Sequence, residues 1–560
     1  MARRVLIVGG VAGGASTAAR LRRLDEEAEI VLYDRGPHVS FANCGLPYHV
    51  GNVIPDEGKL LLASRELFRD RFNIDVRTEH EATAIDRAAR TLTVTSLREG
   101  TTRQEPYDVL VLAPGAAPIR PDLPGLDLPG VYTVRSIPDT RRIRRFLDEQ
   151  PRKEAVVVGG GFIGLEMAEN LVHRGLAVTL VEKADQVMPP IDPEMAVLVS
   201  RHLAERGVTL RLGHGLRAIA EHGDRLAVYT DRAGDGAEIA TDLVILALGV
   251  RPETTLARAA GLPIGPRGGI IVDEAMRTAD PRIFAVGDAI EVHDVVSGQE
   301  VILPLAGPAN RQGRVAAQAI AGRPVSFRGV QGTSIVGVLG LTVATTGASE
   351  KGLRRAGGPA FEVVYLHPGH HASYYPGASP IHLKLIFARE GGRVLGAQAV
   401  GVDGIDKRID VIATMIQMGG TVHDLAEAEL CYAPQFGAAK DPVNIAGMMA
   451  ENALAGDMPL GDWSTLGAEG GALLVDVREP DEFARGHIPS AINLPLSQLR
   501  RRAGELPAGR ALSLYCAAGQ RAYFAQRLLL SRGHAARNLS GGYATYLSMR
   551  DAGVLGNSTP

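Results

Sequence analysis

Two stretches of this chain share one hydrophobic rhythm. Val5-Leu-Ile-Val8 and Val156-Val-Val158 are unbroken apolar runs that stop at glycine clusters. Each cluster opens an amphipathic stretch and then a second apolar run ending on an acid, Asp34 in one case and Glu182 in the other. Unbroken β-branched runs suit strands buried on both faces, and a glycine turn into a helix leading to another such strand is a parallel βαβ unit. The second copy is expected to be an insertion inside the domain begun by the first. Past Asp288 the pattern changes. From about Gly329 to Gly456, strand-like runs such as His382-Leu-Lys-Leu-Ile-Phe387 precede helical, Met-rich stretches, an α+β arrangement. Gly456 to Asp462 reads as a linker, followed by compact alternation of strands and helices to about Arg550; Gly553 to Pro560 reads as a frayed end.

Length and composition narrow the chemistry. At roughly 150 residues per domain, 560 residues make three or four domains. A hydrophobic share of 45%, a charged share of 22% and a net charge of -3 describe a globular chain without the basic excess that recruits nucleic acid or anionic lipid. The first apolar run is too short for a signal peptide, and no run approaches the ~18 apolar residues of a membrane span, so a cytoplasmic protein is expected. The three cysteines, Cys44, Cys431 and Cys516, make no disulfide framework, and each is a candidate for chemistry. No metal site is expected.

The 66 glycines point to nucleotides. Gly159, Gly161 and Gly164 form an intact G-x-G-x-x-G, with Phe162 and Ile163 opening the helix. Such a turn seats a pyrophosphate on a helix N-terminus, and Glu182 stands where an acid accepts hydrogen bonds from a ribose 2′-hydroxyl. That favours NADH, with NADPH left open by Lys183. The first cluster, Gly9-Gly-Val-Ala-Gly-Gly14, has Val11 where the second glycine would fall. Its context compensates: Asp34-Arg35 ends the next strand, Asp108-Val-Leu-Val-Leu-Ala-Pro-Gly115 and Thr241-Asp-Leu-Val-Ile-Leu-Ala-Leu-Gly249 follow, and Thr278-Ala-Asp-Pro-Arg-Ile-Phe-Ala-Val-Gly-Asp288 delivers a Gly-Asp pair. Together these motifs resemble the pyridine nucleotide–disulfide oxidoreductases over roughly residues 1 to 450.

The resemblance implies two Rossmann-like domains in an α/β protein. An FAD-binding domain would span residues 1–150 and 251–328, an NAD(P)H-binding domain 151–250, an α+β dimerisation domain 329–456, and a linker with a further α/β domain 457–560. The candidate cofactor-binding residues are Gly9, Ala12, Gly13, Gly14, Asp34, Arg35, Ala113, Gly115, Gly249, Gly287, Asp288, Pro304, Leu305 and Ala306, with Gly159 to Gly164 and Glu182 for the nicotinamide nucleotide.

Ser40-Phe-Ala-Asn-Cys-Gly-Leu-Pro-Tyr48 holds one cysteine where most of this superfamily carries a C-x-x-x-x-C pair. A thiol without a local partner cycles through a mixed disulfide, a persulfide or a sulfenic acid. The segment is similar to that of coenzyme A-disulfide reductases, and Ala12 replaces the histidine that peroxidases and oxidases of the single-cysteine branch carry. The resemblance makes Ser16, Arg20, Arg23, Ser40, Asn43 and Arg71 candidate coenzyme A contacts. Arg20 and Arg23, three apart, can share a helix face. His370-His-Ala-Ser-Tyr-Tyr-Pro-Gly377 and Glu429-Leu-Cys-Tyr-Ala-Pro-Gln-Phe-Gly437 resemble the segments through which a tyrosine of each reaches the partner's cysteine. That implies a homodimer and assigns the role to Tyr374 and Tyr432, with Tyr375 as the alternative register. Cys431 is read as packing.

Leu474-Val-Asp-Val-Arg-Glu-Pro-Asp-Glu-Phe483 and Gly486-His-Ile-Pro-Ser-Ala-Ile-Asn-Leu494 resemble rhodanese domains, and Ala511-Leu-Ser-Leu-Tyr515 delivers Cys516 into the loop Cys516-Ala-Ala-Gly-Gln-Arg521. Successive N–H groups at a helix N-terminus stabilise a thiolate or persulfide, with Arg521 adding charge. The expected activity is NAD(P)H-dependent reduction of coenzyme A persulfides or polysulfides through Cys44, with sulfane sulfur traded through Cys516. Coenzyme A-disulfide reduction, NADH oxidase or peroxidase activity, and a sulfur-carrier or sensing role are the alternatives.

Overall fold

The two apolar rhythms become two parallel sheets. The computed structural model describes residues 2–232, 234, 237–466 and 471–555. The chain divides into two units, Met1–Lys183 with His214–Val330, and Ala184–Gly213 with Gln331–Pro560.

In the first unit, one sheet runs in the order Ile283–Ala285, Val109–Leu112, Arg4–Val8, Glu29–Asp34, Asp75–Thr78, every pairing parallel. Val5, Leu6, Ile7, Ile30, Val31 and Leu32 are all buried, as strands covered on both faces require. A second parallel set runs Ala177–Glu182, Glu154–Val158, Leu243–Leu246, Val131–Tyr132. The chain thus leaves the first sheet after Leu112 and rejoins it at Ile283. The third glycine of each cluster is demanded by the turn from strand to helix. A Cβ on Gly14 would stand 1.8 Å from the Gly9 carbonyl oxygen, and a Cβ on Gly164 1.8 Å from that of Gly159.

In the second unit, a five-stranded antiparallel sheet runs Ser334–Val338, Leu341–Gly347, Val394–Gly401, Ile381–Ala388, Phe361–Leu366. Its middle strand, Val394–Gly401, is buried along its whole length, so both faces are covered. A four-stranded parallel sheet, Ile492–Asn493, Leu473–Asp476, Leu512–Tyr515, Ala536–Asn538, builds the C-terminal domain. The fold is thus mixed α/β with parallel-sheet nucleotide units, as the sequence leads one to expect. The stretch Gly456 to Asp462 is more than a spacer: Leu460 bridges Asn538, and the Asn538 and Gly461 N–H groups bond Pro459 and Asn538 carbonyls at 2.9 Å. Its glycine and proline suggested a loop because edge pairing leaves no mark in composition. Of the expected frayed end, residues 556–560 lie outside the described residues. No helix among the described residues is long and apolar enough to cross a membrane.

A buried charge cluster anchors the antiparallel sheet. Lys384 Nζ, fully buried, lies 2.8 Å from Asp192, 2.6 Å from Glu194 and 2.7 Å from Glu350. The three carboxylates converge as metal ligands would, and the ammonium holds the position between them. Gln398 Nε2 donates to Asp192 at 2.7 Å and the Tyr365 hydroxyl to Glu194 at 2.9 Å. Burial works against ionising Asp192, but the Lys384 charge and hydrogen bond, with the Lys351 and Glu350 N–H groups, outweigh it and hold the carboxyl below its ordinary range. Asp192 therefore contributes stability above its unfolded pKa and loses it as pH falls through the depressed folded value. Lys384→Met should strand three carboxylates and cost about 3–5 kcal/mol, as breaking a buried pair does. Urea unfolding followed at the second unit is the measurement, and an unchanged midpoint would remove the cluster from the account of stability.

Candidate active site

A cavity of about 1130 Å³ opens in the first unit. Gly9, Ala12, Gly13, Asp34, Arg35, Ala113, Gly115, Gly287 and Asp288 line it; Pro304, Leu305 and Ala306 do not, although Ala309 on the helix they begin does. The helix Ala12–Arg22 starts at this cavity with no side-chain cap and no acid in its first turn, which leaves N–H groups and a positive dipole end for an anion. Asp34 accepts from the Gly10 and Gly36 N–H groups, both at 2.8 Å, and burial raises its pKa. Burial also raises that of Asp288, with Arg135 as the opposing charge. The size, the uncapped helix and the acids fit a flavin dinucleotide. At the second turn, Gly161 caps Phe162–His173 without a side-chain bond, and a Cβ there would meet nothing within 4 Å. Glu182 accepts from the Gly160 N–H at 2.6 Å. The Gly249 carbonyl accepts from the Ile119 N–H at 2.9 Å in the connection beyond Leu243–Leu246.

Cys44 lies in the single turn Asn43–Gly45, exposed, just ahead of the short helix Leu46–Val50. Although the residue reaches the surface, partial burial of its thiol, then the charge of Glu166, then Asp288, push its pKa up. Glu166 is pushed up to about 7 by burial and by Glu169, against a hydrogen bond from Tyr48 that lowers it. Tyr48 is in turn pushed up to about 12 by burial and by Glu166. The two helices are pressed together, for a Cβ on Gly51 would stand 2.0 Å from Asn170 Oδ1. Glu166 was missed by sequence reasoning because it reads as one more polar position on the nucleotide helix.

A second cavity of about 370 Å³ brings Ser16, Arg20, Arg23 and Ser40 together. The helix ends at Arg22, so Arg23 is its cap residue, still on the cavity. Arg71 is exposed and outside the lining, while Asn310, Arg314, Phe68 and Phe72 join it. Burial, then Arg314, Arg23 and Arg323, lower the Arg20 pKa: the arginines form one positive field. Asn43 Oδ1 and Arg20 Nε are buried without a hydrogen-bond partner among the described residues. Ser40 has φ 47°, a left-handed backbone unusual outside glycine. Phe41 and Asn43 line the larger cavity and Ser40 the smaller, so one short segment borders both.

In the second unit the Tyr374 and Tyr432 hydroxyls lie 2.8 Å apart, with the residues 73% and 48% exposed. The hydrogen bond to Tyr432 raises the Tyr374 pKa. Tyr375 turns instead onto the His371 ring, centroids 5.5 Å apart. The two loops are tied by Ala372 N–H to the Gly437 carbonyl at 2.8 Å, and by buried Arg408, which donates to the His370 carbonyl at 2.7 Å and to Asp441 at 2.8 Å. Cys431 beside them is exposed, not packed. Packing was expected of it because it matches no catalytic position of the family it resembles.

Cys516 is buried, its Sγ accepting from the Gly519 N–H at 3.1 Å. Arg521 donates from both terminal guanidinium nitrogens to Glu482, at 2.6 and 2.7 Å, which holds Glu482 down to about 2. Its charge is shared with that acid rather than given wholly to the loop.

Residues 3–313 match the model for the pyridine nucleotide-disulphide oxidoreductases. The chain belongs to that family. Residues 333–441 match its dimerisation domain and 463–549 the rhodanese-like domain. The oxidoreductase is thus a flavin and pyridine-nucleotide type fused to a rhodanese domain. A coenzyme A disulfide reductase of Staphylococcus epidermidis is 34% identical over 449 residues, 80% of this chain and all of that one. The reduced CoADR-RHD of Bacillus anthracis is 47% identical with a TM-score of 0.95, covering 99% of each chain. An NAD-dependent persulfide reductase of A. fulgidus is 37% identical with a TM-score of 0.90, covering 97% of this chain and 100% of that one.

Glu166→Gln should move the titration of Cys44 to lower pH. Ionised Glu166, present above about pH 7, opposes the thiolate, and glutamine does not. Alkylation of Cys44 at neutral pH, followed by peptide mass spectrometry, should rise several-fold; an unchanged pH profile would dismiss the coupling.

Proposed function

We propose that this chain is an NADH-dependent flavoprotein that reduces persulfides of coenzyme A through Cys44, working as a homodimer in which Cys516 carries sulfane sulfur. The carrying observation is the segment Ser40–Cys44, which borders the dinucleotide cavity on one side and the arginine-rich cavity on the other. Bound FAD would supply the two-electron link between NADH and that segment. Arg20, Arg23 and Arg314 suit the phosphates of coenzyme A, and the orphaned Arg20 Nε offers it a polar partner. Glu182 at the strand end suits a free 2′-hydroxyl better than a 2′-phosphate.

The Cys44 thiolate attacks the outer sulfur of the persulfide; the sulfur–sulfur bond of substrate breaks, Cys44 becomes a persulfide, and coenzyme A leaves as a thiolate. The partner subunit's Tyr374 and Tyr432 would protonate that leaving group. Two electrons then release hydrosulfide and restore the Cys44 thiolate. At Cys516, a buried thiol receiving a loop N–H suits a sulfur passed between persulfides. The Staphylococcus epidermidis relative favours coenzyme A disulfide as a second substrate.

NADH oxidation should be fastest with coenzyme A persulfide, slower with coenzyme A disulfide and slowest with hydrogen peroxide, and lost in Cys44→Ser. Fastest turnover on peroxide, or sulfide release surviving that substitution, would overturn the reading. Arg314→Ala should raise KM for coenzyme A substrates roughly 10- to 100-fold with kcat little changed, the worth of one hydrogen bond to a charged group. An unaltered KM would remove Arg314 from the substrate site.

A further inference from the structure

We propose that the edge strand Phe361–Leu366 of the antiparallel sheet is a working part of the Cys516 site, with Ser540 and Thr545 as positioning residues that tie the sulfur loop to that strand, which lies outside the C-terminal domain. The proposal rests on the reading of Cys516 as a sulfur-carrying thiol.

Ser540, buried, is gripped by the Tyr365 backbone from both ends: its Oγ accepts from the Tyr365 N–H at 2.7 Å and donates to the Tyr365 carbonyl at 3.0 Å. One residue past that strand, His367 Nε2 meets Thr545 Oγ1 at 2.9 Å. Its other ring nitrogen, Nδ1, faces His382 Nδ1 at 2.8 Å. Burial, with His382 nearby, pushes the His367 pKa down to about 3, so this contact stays neutral across the physiological range.

Between the two grips lie Gly541 and Gly542, which have no room to spare. A Cβ on Gly541, whose φ is +76°, would stand 2.0 Å from Thr545 Oγ1 and 2.7 Å from the Tyr365 Cβ. A Cβ on Gly542, with φ +59°, would stand 2.2 Å from the Cys516 carbonyl oxygen and 3.0 Å from the Gly519 nitrogen. That nitrogen carries the N–H that Cys516 Sγ receives. The Tyr543 N–H closes the contact on the Cys516 carbonyl at 2.7 Å, and the Ala544 N–H on that of Ala517 at 3.0 Å. The Tyr365 Cβ is thus packed against Gly541, and Gly542 lies backbone against backbone on the cysteine loop, so a shift at one end is passed on to the other. Tyr365 is itself pinned through its hydroxyl to the Lys384 cluster. The anion-holding loop takes its shape from the reductase body as well as from its own domain.

The test uses full-length holoenzyme. Wild type, Ser540→Ala, Ser540→Thr and Thr545→Val are treated with iodoacetamide and, separately, with polysulfide, and every cysteine is followed by peptide mass spectrometry. Loss of Ser540's hydroxyl should slow alkylation and sulfur loading of Cys516 roughly threefold to tenfold, the scale of one ordinary hydrogen bond. Cys44 alkylation and flavin content should stay at wild-type values, and threonine, which keeps the hydroxyl, should restore Cys516. Thr545→Val should show the same fall, and carries the test if Ser540→Ala does not fold. Cys516 rates unchanged or faster in these variants overturn the proposal. A wild-type Cys516 that takes up no sulfur, while its alkylation still responds to Ser540→Ala, defeats the carrier reading and leaves the positioning role standing.

Discussion

An ammonium group taken wholly out of water must be met by acids held at the right distance, because isolated charge in a protein interior is too costly to keep. Lys384 sets that condition for the second unit. Asp192 and Glu194 come from the segment Ala184–Gly213, Glu350 from the helix after the second strand, and Lys384 from the antiparallel sheet. Three separate pieces of chain can meet only if the sheet, the helix Glu350–Ala356 and the segment Ala184–Gly213 are all in place. The Tyr365 hydroxyl is part of the same arrangement, so the strand that faces the C-terminal domain is fixed by it too. The desolvation cost makes the cluster poor value as a source of raw stability. Its geometry is demanding, which makes it a selector of one packing over others.

The first unit depends on a different economy, that of space. Its two nucleotide turns hold a helix so close to a strand that no side-chain carbon fits between them, both helices start without a side-chain cap, and the first starts at the larger cavity. The acids Asp34 and Glu182 complete each turn by holding the glycine loops. The same requirement of bare backbone reappears beside Cys516, at Gly541 and Gly542. At both places close approach of backbone to backbone is what excludes a side chain.

What was legible in the sequence was what lies close together along it. The glycine clusters, the acids that end the following strands, Cys44 in its loop and Cys516 ahead of its helix each carry their context within a few tens of residues. Tyr374 and Tyr432 were reached only through family likeness, and their hydroxyls do meet. Glu166, Arg314 and Ser540 were not found, because each looks ordinary on its own element and acquires meaning from an element far along the chain: Tyr48 for the first, Arg20 for the second, Tyr365 for the third. The Pro459–Gly461 edge pairing was invisible for a related reason, since backbone bonding to a distant strand needs no particular side chain. Arg71 shows the converse: a family resemblance named it, yet it stands outside the lining of the smaller cavity.

The paired phenols have a consequence for the movement of protons. Two hydroxyls at 2.8 Å share one hydrogen along the line between them, so of their two hydrogens only one points elsewhere. Whichever ring gives the internal hydrogen, the other offers the outward one. If both rotate together, the donor end and the acceptor end exchange places without either oxygen moving. Under the proposed mechanism the pair would serve as a reversible conduit, delivering a hydrogen from one side and being refilled from the other, where a single phenol would have to turn around to do both.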